Sequence, residues 1–186
     1  NNDLIMINHK INLLEQGHTN CLSTHIDYWE KNFVSTTKTN NVWNGMKSVY
    51  CDPVTESLLL HCKPQVEKTL KTELVPSYSF WRTYFKGQSL VKHCDRAPCQ
   101  ISVTLCIDMS EDNDPWDIFV DGYSFKLQRG EAVVYRGFSQ EHWRKPLEYD
   151  WHRQIFLHYI EKEGPFYPEH KYDARDKLYT KMEIIK

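Results

Sequence analysis

Apolar and polar positions change rhythm near residue 75. Before it the spacing is helical or irregular. Leu4, Ile5, Ile7, Ile11 and Leu14 share one face of a helix over Leu4–Leu14. Residues 35–45 are polar and turn-rich, a loop. Asp52-Pro53 followed by Glu56 marks a helix start, with Asp as N-cap and Pro in the first turn. Pro64 predicts a restart as a second short helix ending near Leu74. Beyond that point the pattern is β. Tyr78 to Phe85 is aromatic, and Ile101, Val103, Leu105 and Ile107 alternate with Gln100, Ser102, Thr104 and Cys106. Asp117–Val120 and Tyr123–Leu127 flank Asp121-Gly122, a two-residue hairpin turn. Glu131–Tyr135 and Gln154–Ile160 read as further strands, and Asp173–Met182 as a closing helix. Helices followed by closely spaced strands predict a β-sandwich or barrel buttressed by helices. The expected organisation is one domain over 1–186: a helical support (1–74), a β core (75–162) and a C-terminal extension (163–186).

Composition narrows the functional classes. The chain has 186 residues, 40% hydrophobic and 26% charged, enough for one globular core. No run approaches the ~18–20 apolar residues of a membrane span. The net charge of -2, with basic residues scattered among acidic ones, gives no basic stripe, so no nucleic-acid partner is expected. Cysteines at 21, 51, 62, 94, 99 and 106 form no C-x2-C pair and are expected to be reduced thiols of a cytoplasmic protein.

The chemistry concentrates in two stretches. Arg82-Thr-Tyr84-Phe-Lys-Gly87-Gln-Ser-Leu90-Val-Lys-His93-Cys-Asp95 ends in His-x-Asp at a strand terminus. Downstream, Gly130-Glu-Ala-Val-Val-Tyr-Arg-Gly137 leads to His142-Trp143-Arg144, and Arg153 opens the last strand. Non-haem Fe(II) oxygenases hold iron by two His and one carboxylate on one face, leaving positions open. Residues i and i+2 of a strand point the same way, so His93 and Asp95 serve together, with a third ligand from elsewhere. His25-Ile-Asp27 repeats the dipeptide spacing, but no strand pattern precedes it. A keto acid in the open positions needs a deep cation for its far carboxylate, which Arg grips bidentately.

On these residues the chain resembles the 2-oxoglutarate/Fe(II)-dependent oxygenase superfamily, within it the prolyl 4-hydroxylase-like group, over roughly residues 78–160. Tyr84 stands nine residues before His93, as in that group, and Arg153 follows His142 by eleven, near the group's basic position. The group's Gly-Gly segment is missing, and Asp114-Pro-Trp-Asp occupies its region. The resemblance implies a double-stranded β-helix (jelly roll), mainly β with N-terminal helices. It implies a dioxygenase using Fe(II), 2-oxoglutarate and O2 to hydroxylate an unactivated C–H bond. The ligands would be His93, Asp95 and His142. His158 lies within a strand, and His152 leaves too little chain before a following basic residue. Arg153 and Tyr84 would hold 2-oxoglutarate, with Arg144 a competitor because it shares the face of His142. Ser102 and Thr104 are possible keto-acid contacts, and Trp143 a substrate contact. The carboxylate at Asp95 implies hydroxylation rather than halogenation. The first substrate guess is a peptidyl, prolyl-like residue; a free amino acid or small metabolite is the alternative. Two other readings stay open: a cupin-like metal protein that uses no keto acid, and a non-catalytic binding barrel.

Overall fold

The computed structural model describes residues 8–33, 47–111, 114–180 and 182–185. In chain order the elements are β1 (Asn8–Asn12), α1 (Gln16–Asn32), β2 (Lys47–Tyr50), α2 (Pro53–Leu70), β3 (Leu74–Phe85) and β4 (Leu90–His93). They continue with β5 (Ile101–Met109), β6 (Ile118–Val120), β7 (Tyr123–Phe125), β8 (Glu131–Tyr135), β9 (His142–Arg144), β10 (Trp151–Glu161) and β11 (Glu183–Ile185). A seven-stranded sheet has the order β1-β8-β5-β10-β3-β2-β11, and a four-stranded sheet the order β4-β9-β6-β7. The pairings are antiparallel. From β3 to β10 the chain passes back and forth between the two sheets, so their inner faces enclose one interior.

Strand alternation gives the large sheet two different faces. Ile101, Val103, Leu105 and Ile107 of β5 and Ile155, Leu157 and Tyr159 of β10 point outward. There they pack with Ile26 of α1 and Leu59, Cys62 and Val66 of α2. Burying each such aliphatic side chain contributes roughly 1.5–3 kcal/mol. The inner face carries Cys106, Val133 and Tyr135, which meet Ile118 and Val120 of the small sheet. Asp52 joins the helices to the sheet. Its carboxylate accepts from the Val54 backbone N–H (2.9 Å), capping α2, and from the Trp81 indole N–H (3.1 Å), and it bonds His25 (2.6 Å). Among the described residues, no helix is long and apolar enough to cross a membrane.

Several predicted elements differ. Asn8–Asn12 is a strand, not part of a helix, because it pairs residue for residue with β8; the rest of that predicted helix before Asn8, like the loop at 35–45, lies outside the described residues. The 1–74 support therefore contributes two strands as well as two helices. Pro64 does not split α2. Leu58, Leu59, Cys62 and Val66 are buried on either side of it, and their shared packing carries the helix through the missing N–H. The predicted helix at Asp173–Met182 is absent. Tyr172, Asp173 and Ala174 adopt left-handed backbone angles (φ 51°, 56° and 57°), while Arg96 grips the Asp173 carboxylate through two bonds (2.5 and 2.7 Å). The segment ends in β11, paired with β2.

Candidate metal centre

Strand pairing assembles the donors. β4 and β9 are neighbours, with His93 directly opposite His142, and their ring centroids lie 4.3 Å apart. Asp95 lies two residues beyond His93, and its backbone N–H donates to the Gly137 carbonyl (2.8 Å). Asp95 Oδ1 stands 3.4 Å from His93 Nε2 and 3.5 Å from His142 Nε2. The three residues are a group whose ligand atoms all lie within 4.8 Å of one another. Each imidazole is oriented from behind: Nδ1 of His93 meets the Val91 carbonyl at 2.7 Å, and Nδ1 of His142 meets the Gln140 carbonyl at 3.0 Å. A carbonyl only accepts, so each Nδ1 carries a proton and donates to it, and Nε2 is the nitrogen that each ring turns toward Asp95. Burial would raise the Asp95 carboxyl, but hydrogen bonds from His142 and His93 outweigh it and hold the group well below the usual carboxylate range. The bond to Asp95 raises the His93 imidazole in turn.

These donors open on a cavity of about 160 Å³, lined also by Tyr78, Phe80, Arg82, Tyr84, Tyr135 and Phe156. A larger cavity, about 370 Å³, is lined by Asp114, Trp116, Lys145 and Tyr149 and contains none of the donors.

Alternation decides which predicted residues reach this interior. Arg144, two residues after His142 on β9, turns inward and is 2% exposed. Its guanidinium donates to the Trp116 carbonyl (2.6 Å) and to Gln154 Oε1 (2.8 Å). No carboxylate pairs with it among the described residues, and burial lowers its pKa. Tyr84 also faces in, fully buried, its ring against Trp116 (5.0 Å) and its hydroxyl without a partner. Gln154 Nε2 and Arg144 Nε are likewise buried without partners. Orphaned buried donors of this kind carry a desolvation cost until something polar meets them.

Arg153 does not join them. On β10 it faces α1, where it bonds Glu30 (2.9 Å), Asp27 (3.1 Å) and the Ser23 hydroxyl (3.0 Å). Spacing from His142 suited it, but the inward positions of β10 are those of Gln154, Phe156 and His158. Arg153→Leu will leave the Glu30 carboxylate buried without its charged partner, held among the described residues only by the Thr83 hydroxyl, and lower stability by about 3 kcal/mol in a thermal melt, with 2-oxoglutarate affinity unchanged. Trp143 also points away, on the far face of β9, stacked on Phe119 (5.3 Å) beneath Lys92 (5.0 Å). Ser102 donates to Asp95 Oδ2 (3.1 Å), and Thr104 bonds the Tyr135 hydroxyl (3.1 Å). His152 bonds Tyr149 (2.9 Å) beside Trp116, and His158 bonds Ser102 (3.0 Å). His25 and Asp27 lie on α1.

Arg82, Tyr135 and Gln154 had no role in the sequence reading, and His158 entered it only as a rival to His142. Arg82 could have been found, because it is two residues before Tyr84 on the same strand. Gly137 is needed for its size: a Cβ there would collide with Ser102 Oγ and come within 2.5 Å of Asp95 Oδ2 and 2.7 Å of the Cys99 carbonyl. Gly137→Ala will cost ~1–3 kcal/mol of stability and weaken metal uptake, measured by melting and by metal titration.

No family model matches the chain, and no curated protein does. Solved structures do. The viral collagen prolyl hydroxylase of Paramecium bursaria Chlorella virus-1, in complex with 2-oxoglutarate, superposes with a TM-score of 0.62 at 11% identity, over 82% of this chain and 94% of that one. The fold is that of the iron- and 2-oxoglutarate-dependent oxygenases, prolyl 4-hydroxylase-like. HygX from Streptomyces hygroscopicus, with nickel and 2-oxoglutarate bound, shares this oxygenase fold at TM-score 0.65 and 9% identity, over 85% and 84% of the two chains. So does a prolyl hydroxylase from Trichoplax adhaerens in complex with a hypoxia-inducible-factor degradation-domain peptide fragment, at TM-score 0.61 and 12% identity, over 84% of each chain.

Proposed function

We propose that this chain is an Fe(II)- and 2-oxoglutarate-dependent dioxygenase that hydroxylates an unactivated C–H bond. One observation carries the reading. Two imidazoles and a carboxylate converge on a cavity, and a buried, acid-free Arg144 stands beside orphaned Tyr84 and Gln154 donors on the same inner wall. The winding of β3 to β10 through two sheets supports the double-stranded β-helix that such enzymes use.

The residues divide the work. His93 Nε2, His142 Nε2 and Asp95 Oδ1 would hold iron on one face, their orientation set by the carbonyls of Val91 and Gln140. Arg144 and the Tyr84 hydroxyl would take the distal carboxylate of 2-oxoglutarate in charge-assisted hydrogen bonds. Iron and 2-oxoglutarate, when bound, activate O2 for insertion into a C–H bond. Tyr78, Phe80 and Phe156 wall the cavity with aromatic surface that keeps water from the reacting carbon. With Asp95 present as the carboxylate ligand, no ligand position is vacated for halide, which supports hydroxylation. A keto-acid-free cupin-like protein would have no use for Arg144 in this position.

For the substrate we favour a peptidyl side chain. A cavity of about 160 Å³ is smaller than the ~300–1,000 Å³ of sites that engulf a whole small ligand. A narrow projection from a larger molecule suits it better than an enclosed metabolite. The six free thiols suit a reducing, cytoplasmic setting. The test is conversion of 2-oxoglutarate to succinate in air with added Fe(II), screened against proline-containing peptides and free amino acids. Iron-dependent turnover stimulated by peptides is expected. Stimulation by free amino acids alone would replace the substrate assignment, and no succinate under any condition would sink the dioxygenase reading.

A further inference from the structure

The metal-facing side of Asp95 is explained by His93 and His142; the other side is built with equal care. Ser102 Oγ lies 3.1 Å from Asp95 Oδ2, 3.0 Å from His158 Nδ1 and 3.3 Å from the Cys99 carbonyl. All of Ser102 is buried, and His158 is 5% exposed. Proton counting orders the chain of bonds. An ionised carboxylate only accepts, so the single Ser102 proton goes to Asp95 Oδ2, the charged and nearer acceptor. Ser102 Oγ can then only accept from His158, whose Nδ1 must carry the proton. The His158 ring is held by Tyr78 (4.5 Å between centroids) and stacked parallel to Phe156 (6.4 Å). Gly137 leaves the space in which Ser102 reaches Asp95.

We infer that Ser102 and His158 are a positioning pair for Asp95: His158 Nδ1–H donates to Ser102, and Ser102 donates to Asp95 Oδ2. Oδ2 is thereby engaged, so Asp95 offers the metal Oδ1 alone. A carboxylate left to pivot would present both oxygens and fill a position that the keto acid or O2 needs. Partners that orient a ligand in this way change metal affinity by about 10–100-fold when removed. The inference rests on the metal-site reading above. It has a structural rival, because Asp95, Cys99 and His158 also place one ligand atom each within 4.8 Å of one another, a spacing that could hold a second ion. The Ser102 hydroxyl bonds the side chains of two of those three residues, Asp95 and His158, which favours a hydrogen-bonded pair.

The experiment is Co(II) titration of apo-protein, read by the d–d absorption bands, for the wild type, Ser102→Ala, His158→Leu and His158→Asn. Asn keeps an N–H close to the place of Nδ1. One Co(II) per wild-type chain is expected. Binding should weaken at least 10-fold with altered bands in Ser102→Ala and His158→Leu, and stay within about threefold in His158→Asn. Wild-type binding with both disruptive variants unchanged would overturn the pair alone. So would a second Co(II) that disappears in Cys99→Ser. A wild type that takes no Co(II) would overturn the metal-site reading and the pair with it. If the disruptive variants fail to fold, the long-range ¹H–¹⁵N spectrum of the Zn(II)-loaded wild type decides. A proton on His158 Nδ1 supports the pair, and a proton on Nε2 only overturns it.

Discussion

Arg144→Met will reduce 2-oxoglutarate affinity roughly 100-fold while leaving the apo-protein about as stable as the wild type. Removing one partner of a buried charge pair costs about 2–5 kcal/mol of binding, and 1.4 kcal/mol is a factor of ten. The stability half follows from the same burial. The Arg144 guanidinium is desolvated, has no carboxylate partner among the described residues, and is held by the neutral oxygens of Trp116 and Gln154. Met of similar length removes an uncompensated charge and orphans those two acceptors, effects of opposite sign. Calorimetric titration with 2-oxoglutarate in the presence of Mn(II) or Fe(II), alongside melting curves, checks both halves. A site built to hold the protein together would give the reverse result: a large loss of stability and unchanged affinity, as expected for Arg153→Leu.

His142→Ala will lose metal uptake by more than the 10–100-fold that removal of an orienting partner costs. On the proposed reading, His142 is one of three ligand residues grouped there among the described residues, and it is 3% exposed on β9. The comparison with the other two histidines on β10 sharpens the expectation. His152→Phe should bind metal normally, because His152 sits beside Trp116 and Tyr149. His158→Leu should fall between the two. Fe(II) or Co(II) titration of the three variants gives the ranking, and equal binding in all three would remove His142 from the ligand set.

The β core was legible because its faces differ. Period-two spacing in Ile101–Ile107 reports a strand with an apolar side toward the helices, and Asp121-Gly122 adopts the left-handed angles (φ 48° and 84°) that such a hairpin requires. His93 and Asp95 were legible as a His-x-Asp pair: His93 closes β4, Asp95 lies two residues beyond it, and their side chains meet at 3.4 Å. α1 was not, because its buried face includes the polar residues Thr19, Ser23 and Glu30, and the last two are bonded there by Arg153, 123 positions away from Glu30. Arg153 itself misled. A count of residues after His142 fits it, but the face it takes depends on how β10 enters the sheet. Arg144 was visible as the alternative through strand parity alone, two residues after His142. The C-terminal segment escaped because distant side chains shape it: Arg96 on Asp173, and Arg175 on Glu56 at 2.6 Å.

The most direct test of the central claim is anaerobic addition of Fe(II) and 2-oxoglutarate to apo-protein, watching for a visible metal-to-ligand charge-transfer band. A band that needs both additions, and that is lost in His93→Ala and His142→Ala and weakened in Arg144→Met, is the expected result. Normal iron binding with no band at saturating 2-oxoglutarate would contradict the keto-acid site, and no iron binding would contradict the metal centre itself.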